Sequence, residues 1–287
     1  MNGVSVILPT FNREDKVGRA VKSVLYQTYK NFELIVVDDV STDSTPEVVK
    51  SFDDDRIVYH RNESNLGGGG SRNVGIKLSE NDLIAFLDDD DEWLPTKLEK
   101  QMGVMKEASP LCCGVYTGLK KIIDGKVVSE KINRKEGNLL HELLWENIIG
   151  STSVVLLKKE PVIEVGAFTE SLPASQELEL YLRLSREYEF RCVPQPLVRY
   201  HVHRDDQITA DHSKKLKAKR YIFNKFEDEI KADPPLHAKY LYEIAYRQHK
   251  LGNYEEAKEM FKKGFFLSPL GLKYLIKKYL SKLILGI

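Results

Sequence analysis

Residues 84–95 read IAFLDDDDEWLP: four apolar residues lead into four consecutive carboxylates, Asp88 to Asp91, with Glu92 behind them. Like charges crowded at the end of a strand repel, and the turn costs stability unless a cation offsets it. Two readings fit: a solvated acidic turn, or a site for a metal ion that in turn holds phosphate. Hard divalent cations such as Mg2+ or Mn2+ take oxygen ligands, often one or two carboxylates plus substrate phosphate. An Asp-x-Asp at a strand end supplies that set, and the ion then acts as a Lewis acid on a diphosphate leaving group. Asp39 ends another apolar run, FELIVVDD (32–39), and can accept hydrogen bonds from a nucleobase or ribose. NLGGGGSRNVGIKL (65–78) is a glycine-rich turn entering a helix. With Arg72 it offers an anion backbone amides, a helix N-terminus and a guanidinium. Alone, Gly67–Gly70 is weak evidence, because it lacks GxGxxG spacing and follows the third strand rather than the first.

A frame must bring these groups together. VSVIL (4–8) is a continuous apolar run, as expected of a strand buried on both faces. Asn12 is placed to cap a helix, with Asp15 three residues on, and Val17, Ala20, Val21, Val24 and Leu25 follow helical spacing. Thr45-Pro46 has the form of a cap followed by proline at the first helical position. RIVYHR (56–61) and DLIAFLDDDD (82–91) read as the third and fourth strands. Strands alternating with helices predict βαβ units and a largely parallel sheet, whose ligands bind beyond the carboxyl ends of the strands. Pro9, Thr10 and Phe11, the pair Asp38-Asp39, and Asp88–Asp91 all fall at such ends. Three strand ends on one acidic rim make a solvated turn a weaker reading for the set than for any member alone. Farther on, GVYTGLKKII (114–123) and STSVVLLKK (151–159) are strand-like around a short helical LLHELLW (139–145). SQELELYLRLSRE (175–187) predicts a helix, and FRCVPQPLVRYHVH (190–203) strand and loop.

The chain has 287 residues, 42% apolar and 30% charged, enough for one or two domains with a real core. It has no apolar run near the length of a membrane span, and VSVILP leaves no room for a signal peptide. Cys112, Cys113 and Cys192 lack metal-ligand spacing and read as buried thiols of a reducing, cytoplasmic compartment. The net charge of zero hides an asymmetry. From Ser213 onward there are 17 Lys and Arg against 8 Asp and Glu; the preceding residues carry 26 against 35. This divides the chain into an acidic unit, 1–212, and a basic helical extension, 213–287. In the extension, 236–269 has the form helix, Leu-Gly-Asn turn, helix, proline stop. It resembles one tetratricopeptide repeat in the spacing of Ala245, Gly252, Tyr254, Ala257, Phe261 and Pro269. A last amphipathic helix, 270–285, sets Leu272, Leu275, Ile276, Tyr279, Leu280 and Leu283 against Lys273, Lys277, Lys278 and Lys282. Its apolar stripe suits an anionic membrane, the preceding helix pair or a second copy of the chain. Nucleic acid is not an expected partner, because no reader motif interleaves with the basic residues.

In order and spacing, VSVILPTFNRE, ELIVVDDVSTDST, NLGGGGSRNVGI and IAFLDDDDEWLPTKLE resemble family 2 glycosyltransferases of the GT-A fold. The resemblance continues through GAFTESLPASQELELYLRLS and VRYHVHRDDQIT, covering roughly residues 3–209. It implies an α/β GT-A fold, a Rossmann-like mixed, mainly parallel sheet flanked by helices, with an α-helical extension. It further implies transfer of a hexosyl group, with inversion, from a nucleotide-diphosphate sugar, UDP above others, to a carbohydrate or lipid-linked acceptor in cell-surface polysaccharide or glycolipid synthesis. By position, Pro9, Thr10, Phe11 and Glu14 would line the nucleotide site, Asp39 contact the base, and Arg72 the base or diphosphate. Asp88 and Asp90 would be the acids of the Asp-x-Asp, with Asp90 the direct ligand of Mn2+ or Mg2+ and Asp89 touching ribose or donor sugar. The run of four acids leaves this register open by one residue. Inversion needs a base on the acceptor side, and Glu177 falls where the family's base lies, with Glu179 as fallback. The family commonly has Asp there preceded by Glu; here Gln176 precedes Glu177. His203 lies in a segment that in some relatives closes over the diphosphate and adds a metal ligand; a surface or core histidine fits as well. Trp93 packs beneath the acceptor or in the core.

Two rivals remain. A sugar nucleotidyltransferase also uses an acidic metal site, but it normally carries a glycine-rich basic loop after the first strand, and PTFNRED is not one. A degenerate transferase fold acting as a binding module through its tail conflicts with the intact Asp39, Arg72 and Asp88–Asp90.

Overall fold

Apolar runs and helical periodicities set the order of elements in a computed structural model that describes residues 3–202 and 211–268. In chain order these are β1 (Val4–Thr10), α1 (Val17–Leu25), β2 (Phe32–Asp38), α2 (Thr45–Lys50), β3 (Ile57–Arg61), α3 (Gly67–Leu78), β4 (Leu83–Phe86), β5 (Glu92–Trp93) and α4 (Lys97–Glu107). They continue with β6 (Cys112–Ile123), β7 (Lys126–Lys131), α5 (Leu140–Trp145), β8 (Val155–Lys158), α6 (Lys159–Glu164), α7 (Gln176–Glu187) and β9 (Glu189–His201). The helices α8 (His212–Lys225), α9 (Glu227–Lys231), α10 (Pro234–Lys250) and α11 (Tyr254–Leu267) follow. Two compact units contain them: residues 3–171 with 176–202, and residues 172–175 with 211–268.

The first unit is built on a nine-stranded sheet of order β3-β2-β1-β4-β8-β6-β9-β5, with β7 paired to β6. Pairing among β3, β2, β1 and β4 is parallel, as the alternation of strand and helix predicts. Beyond β4 the sheet is mixed: β8 is antiparallel to β4 and β6, β9 is parallel to β6, and β5 is antiparallel to β9. The carboxyl ends of β6 and β9 therefore lie on the same rim as that of β4. The acidic turn leaves β4 near the middle of the sheet and reaches β5 at its far edge, so it runs along that rim. Val6, Ile7 and Leu8 of β1 and Leu34 to Val37 of β2 are fully buried, as strands covered on both faces require. Helix α3 comes close to β1 at Gly75, where an added Cβ would sit 2.3 Å from Ile7 Cγ2.

Two local expectations shift. Asn12 does not cap α1, which starts at Val17 after Lys16 with no side-chain cap. Asn12 instead adopts φ 51° and joins two rim loops: its amide donates to Ser41 Oγ (2.9 Å), and its Oδ1 accepts the Thr42 amide (2.7 Å). Helix α2 begins one residue earlier than a Thr45 cap implies, with Ser44 preceding it. Cys112, Cys113 and Cys192 are free, buried thiols.

In the second unit, α10 packs against both α8 and α11. Gly252, at φ 83°, makes the turn between α10 and α11, a conformation glycine adopts without a Cβ penalty. Gly264 lets α11 approach the Tyr242 ring, with a Cβ there 3.0 Å from the ring edge. The Lys219 ammonium lies 2.6 Å from the buried Glu243. The basic segment 270–285 and His203 lie outside the described residues. No described helix is long and apolar enough to cross a membrane.

Candidate active site

The four acids of the turn are not equivalent. Asp91 is fully buried. Its Oδ2 accepts the Ser153 hydroxyl (2.6 Å), and its Oδ1 accepts the His201 amide (3.2 Å). Burial, and then the charges of Asp88 and Asp90, push its carboxyl well above the usual range. Ser153 also accepts the Asp88 amide (3.1 Å), which locks the start of the turn to its end. With Asp91 turned inward, Asp88, Asp89 and Asp90 are the acids left partly exposed on the rim.

Arg72 of α3 reaches Asp88: its Nη2 donates to Oδ1 at 2.6 Å. The same oxygen accepts the Thr152 hydroxyl (3.0 Å), and Oδ2 accepts the Ser151 hydroxyl (3.3 Å). The guanidinium also lies 5.5 Å from the Phe168 ring centroid and donates to Gln176 (3.4 Å). Asp89 faces Arg13 of the β1–α1 loop at 3.7 Å. Burial raises its carboxyl to about 7, reinforced by Asp90 and opposed by Thr10 and Arg13. The Asp90 carbonyl accepts the Arg19 guanidinium at 2.6 Å.

On the β1–β2 side, Thr10 is buried, Pro9 half-buried and Phe11 45% exposed at the rim. Glu14 accepts the Ser44 amide at 2.8 Å and so joins the loops after β1 and β2. Asp39 has a structural task. Its Oδ1 accepts Asn62 Nδ2 and the Leu66 amide, and its Oδ2 accepts the Gly67 amide, each at 2.8 Å. The acid expected to read a base thus also holds the N-terminus of α3, where a carboxylate is favoured by the helix dipole. Gly67–Gly70 is the first turn of that helix rather than a free loop. A Cβ at Gly69 would meet Gln176 at 2.7 Å.

On the opposite side of the acids lies a cleft of about 520 Å³. Asp88, Arg72, Ser151, Glu177, Tyr200 and the β6–β7 hairpin line it, whereas Pro9, Thr10, Phe11 and Asp39 do not. Glu177, in the first turn of α7, accepts Asn147 Nδ2 at 3.4 Å. Burial raises its carboxyl, with Asp88 adding to the rise and Arg72 opposing it. Glu179, the fallback base, is taken up by a buried ion pair. It is fully buried, takes both Nε (2.8 Å) and Nη2 (2.7 Å) of Arg183, and accepts the Thr169 hydroxyl (3.1 Å). Trp93 belongs to the core: it is 2% exposed, and its Nε1 donates to the Ser153 carbonyl (2.8 Å).

Arg13, Ser151, Thr152, Ser153, Asn147 and Tyr200 join the site without standing at any of the acidic or glycine-rich positions that mark it in the sequence. A run of small hydroxyl residues, Ser151-Thr152-Ser153, before a strand was the one available signal.

Among the described residues no three His, Cys, Asp or Glu side chains form a metal-holding group. Mg2+ and Mn2+ often take only one or two carboxylates together with substrate phosphate. Burial raises Asp89 and Asp91 first and the neighbouring carboxylates add to it, and a cation on Asp88–Asp90 would offset the second contribution. The donor set is all oxygen and fits such an ion.

Residues 5–166 match the family described as Glycosyl transferase family 2. A glycosyltransferase of Haemophilus influenzae is 32% identical over 226 residues, covering 76% of this chain and 75% of that protein. UDP-Glc:alpha-D-GlcNAc-diphosphoundecaprenol beta-1,3-glucosyltransferase WfgD of Escherichia coli is 38% identical over 154 residues, covering 53% of this chain and 59% of WfgD. Among solved structures, S. aureus TarS 1–349 in complex with UDP-GlcNAc superposes with a TM-score of 0.66 at 19% identity, over 86% of this chain and 72% of that one. Mannosyltransferase PcManGT from Pyrobaculum calidifontis, in complex with GDP-Man and Mn2+, does so at 0.61 and 16% identity, over 98% and 80%. The structural matches carry the GT-A fold.

Proposed function

The chain belongs to glycosyl transferase family 2, and on that premise we propose that it is a metal-dependent, inverting transferase using a UDP-sugar and a lipid-linked carbohydrate acceptor. One observation carries this reading: Glu177 and Asp88 line the same cleft, with Arg72 bound to Asp88. The loops of Pro9–Phe11 and Asp39 lie on the other side of the acids and suit the nucleoside. WfgD, by its name, takes UDP-Glc and a diphosphoundecaprenol-linked sugar, and TarS was solved with UDP-GlcNAc.

Glu177 takes the proton of the acceptor hydroxyl. The oxygen attacks the anomeric carbon from the face opposite the diphosphate, and the carbon–oxygen bond to the diphosphate breaks with its electron pair. The raised carboxyl of Glu177 makes it a stronger base than an ordinary carboxylate once it is ionised. Asp90 and Asp88 would hold the metal, which supplies positive charge at the departing diphosphate. Asn147 and the first turn of α7 fix the base. Catalysis is assigned to residues 1–212, with 213–287 outside the chemistry.

Calorimetric titration of UDP, with and without Mn2+, into wild type and Asp90→Ala tests the donor half. Metal-dependent binding lost in the variant is the expected result. Absence of binding with UDP, GDP and dTDP alike refutes it.

A further inference from the structure

The β6–β7 hairpin carries two lysines that the donor chemistry does not use. The register pairs Leu119 with Lys131 and Lys121 with Ser129, so Lys121 and Lys131 are diagonal neighbours on one face. Both line the cleft that holds Glu177. Diagonal positions across a strand pair lie ~7–8 Å apart, within reach of long side chains. On the hairpin's other face, Lys120 is matched by Glu130 directly opposite, at 3.3 Å. The cleft face lacks that match, because Lys121 lies opposite Ser129 and beside a second cation. Lys131 donates to the Asn147 carbonyl, with Glu146 within electrostatic reach. Asn147 in turn donates to Glu177. The residue that positions the base is therefore held by one of the lysines. Asp88, the other acid of the cleft named above, is already bound by Arg72.

Lys121 and Lys131 share the cleft face, neither has a carboxylate directly opposite it in the register, and an anion bridging them would gain from both charges. Arg72 and Asp88 mark the donor wall of the cleft, whereas the hairpin lysines line it with Asn147 and Glu177, the groups assigned to the acceptor hydroxyl, so the anion is assigned to the acceptor. We propose that Lys121 and Lys131 bind the diphosphate joining the acceptor sugar to its lipid carrier. A diphosphate diester carries two charges, one for each lysine. The same hairpin leaves Val127, Val128 and Ile132 exposed, apolar surface that favours a lipid over an acidic polymer as the source of the charge. The inference rests on the transferase reading above.

The test titrates farnesyl diphosphate, farnesyl monophosphate and tetraglucuronate into the full chain with Mg2+ and saturating UDP. Wild type is compared with a Lys121→Gln/Lys131→Gln variant and a Lys121→Arg/Lys131→Arg variant. Farnesyl diphosphate is expected to bind UDP-loaded wild type more tightly than the monophosphate. The Gln variant should weaken it at least tenfold, and the Arg variant should recover it. UDP affinity, measured on all three proteins, reports that the fold and donor site are intact. Failure of farnesyl diphosphate to bind UDP-loaded wild type, or equal binding by the Gln variant, overturns the proposal. Tighter binding of tetraglucuronate overturns the lipid diphosphate in favour of an acidic polymer. If UDP itself does not bind, the donor reading fails separately, and the wild-type-to-Gln difference measured without UDP still decides the lysines.

Discussion

Asp39→Asn should destabilise the protein before any nucleotide is added. Asp39 is 5% exposed, and its two oxygens take three hydrogen bonds: Asn62 and the Leu66 amide on Oδ1, the Gly67 amide on Oδ2. An asparagine oxygen can replace Oδ1 and keep two of them. Its Nδ2 must then face the Gly67 N–H, donor against donor. The lost bond went to a charged acceptor, a class contributing roughly 1.5–3 kcal/mol. Removing a carboxylate from a helix N-terminus costs about 0.3–1 kcal/mol more. The expected loss is therefore about 2–4 kcal/mol, the sum of those two ranges. Urea unfolding of nucleotide-free protein measures it, as a lower midpoint at an unchanged slope. Stability within about 0.5 kcal/mol of wild type, the ordinary range for surface substitutions, refutes the structural role. Asp39 would then act on ligand alone. If the loss is found, weakened nucleotide binding by this variant is to be read partly through α3, whose Arg72 reaches Asp88.

The two glutamates of α7 should separate cleanly. Glu177→Gln is expected to lower kcat by roughly 10²–10⁴-fold with the melting temperature little changed, whereas Glu179→Gln breaks a buried pair with Arg183 and should cost about 3–5 kcal/mol; steady-state kinetics and thermal melts read both, and an inactive but fully stable Glu179→Gln contradicts the assignment. Because burial raises the Glu177 carboxyl, the acidic limb of the rate profile should lie above the ordinary carboxylate range, with activity lost as pH falls through it; a limb at the ordinary value counts against Glu177 as the base. Asp89 is raised to about 7 in the folded chain from 3.8, so the folded state binds its proton more tightly than the unfolded state between those values. In EDTA, stability should therefore fall as pH rises toward 7, by no more than about 1.4 kcal/mol per pH unit, and Asp89→Asn should flatten the curve; an identical slope in the variant refutes this. Gly75→Ala places a methyl 2.3 Å from Ile7 Cγ2 and should cost about 1–3 kcal/mol by unfolding midpoint; a neutral substitution would mean that α3 does not press on β1 as described.

The sequence alone determined the elements and the rim. The largely apolar runs at 4–8 and 34–37 read as strands covered on both faces, and a parallel sheet places their carboxyl ends together. Asp39, Arg72 and Asp88–Asp90 were legible because each stands at a fixed offset from such a run. Asn12 misled because a cap and a loop bridge use the same side-chain chemistry, and only the position of Ser41 and Thr42 distinguishes them. The tertiary structure decided which way each acid turns. Asp91 faces inward because Ser153 and His201, 62 and 110 residues away, donate to it. Glu179 was a candidate base until Arg183 and Thr169 enclosed it, and Glu177 gained its setting from Asn147, 30 residues earlier. The lysine pair depends on the β6–β7 register, because a shift of one residue sends every side chain to the opposite face. Local pattern fixes what a residue can donate or accept. Which partner it meets is set by strand order and register, and these arise from pairing between segments far apart in the chain.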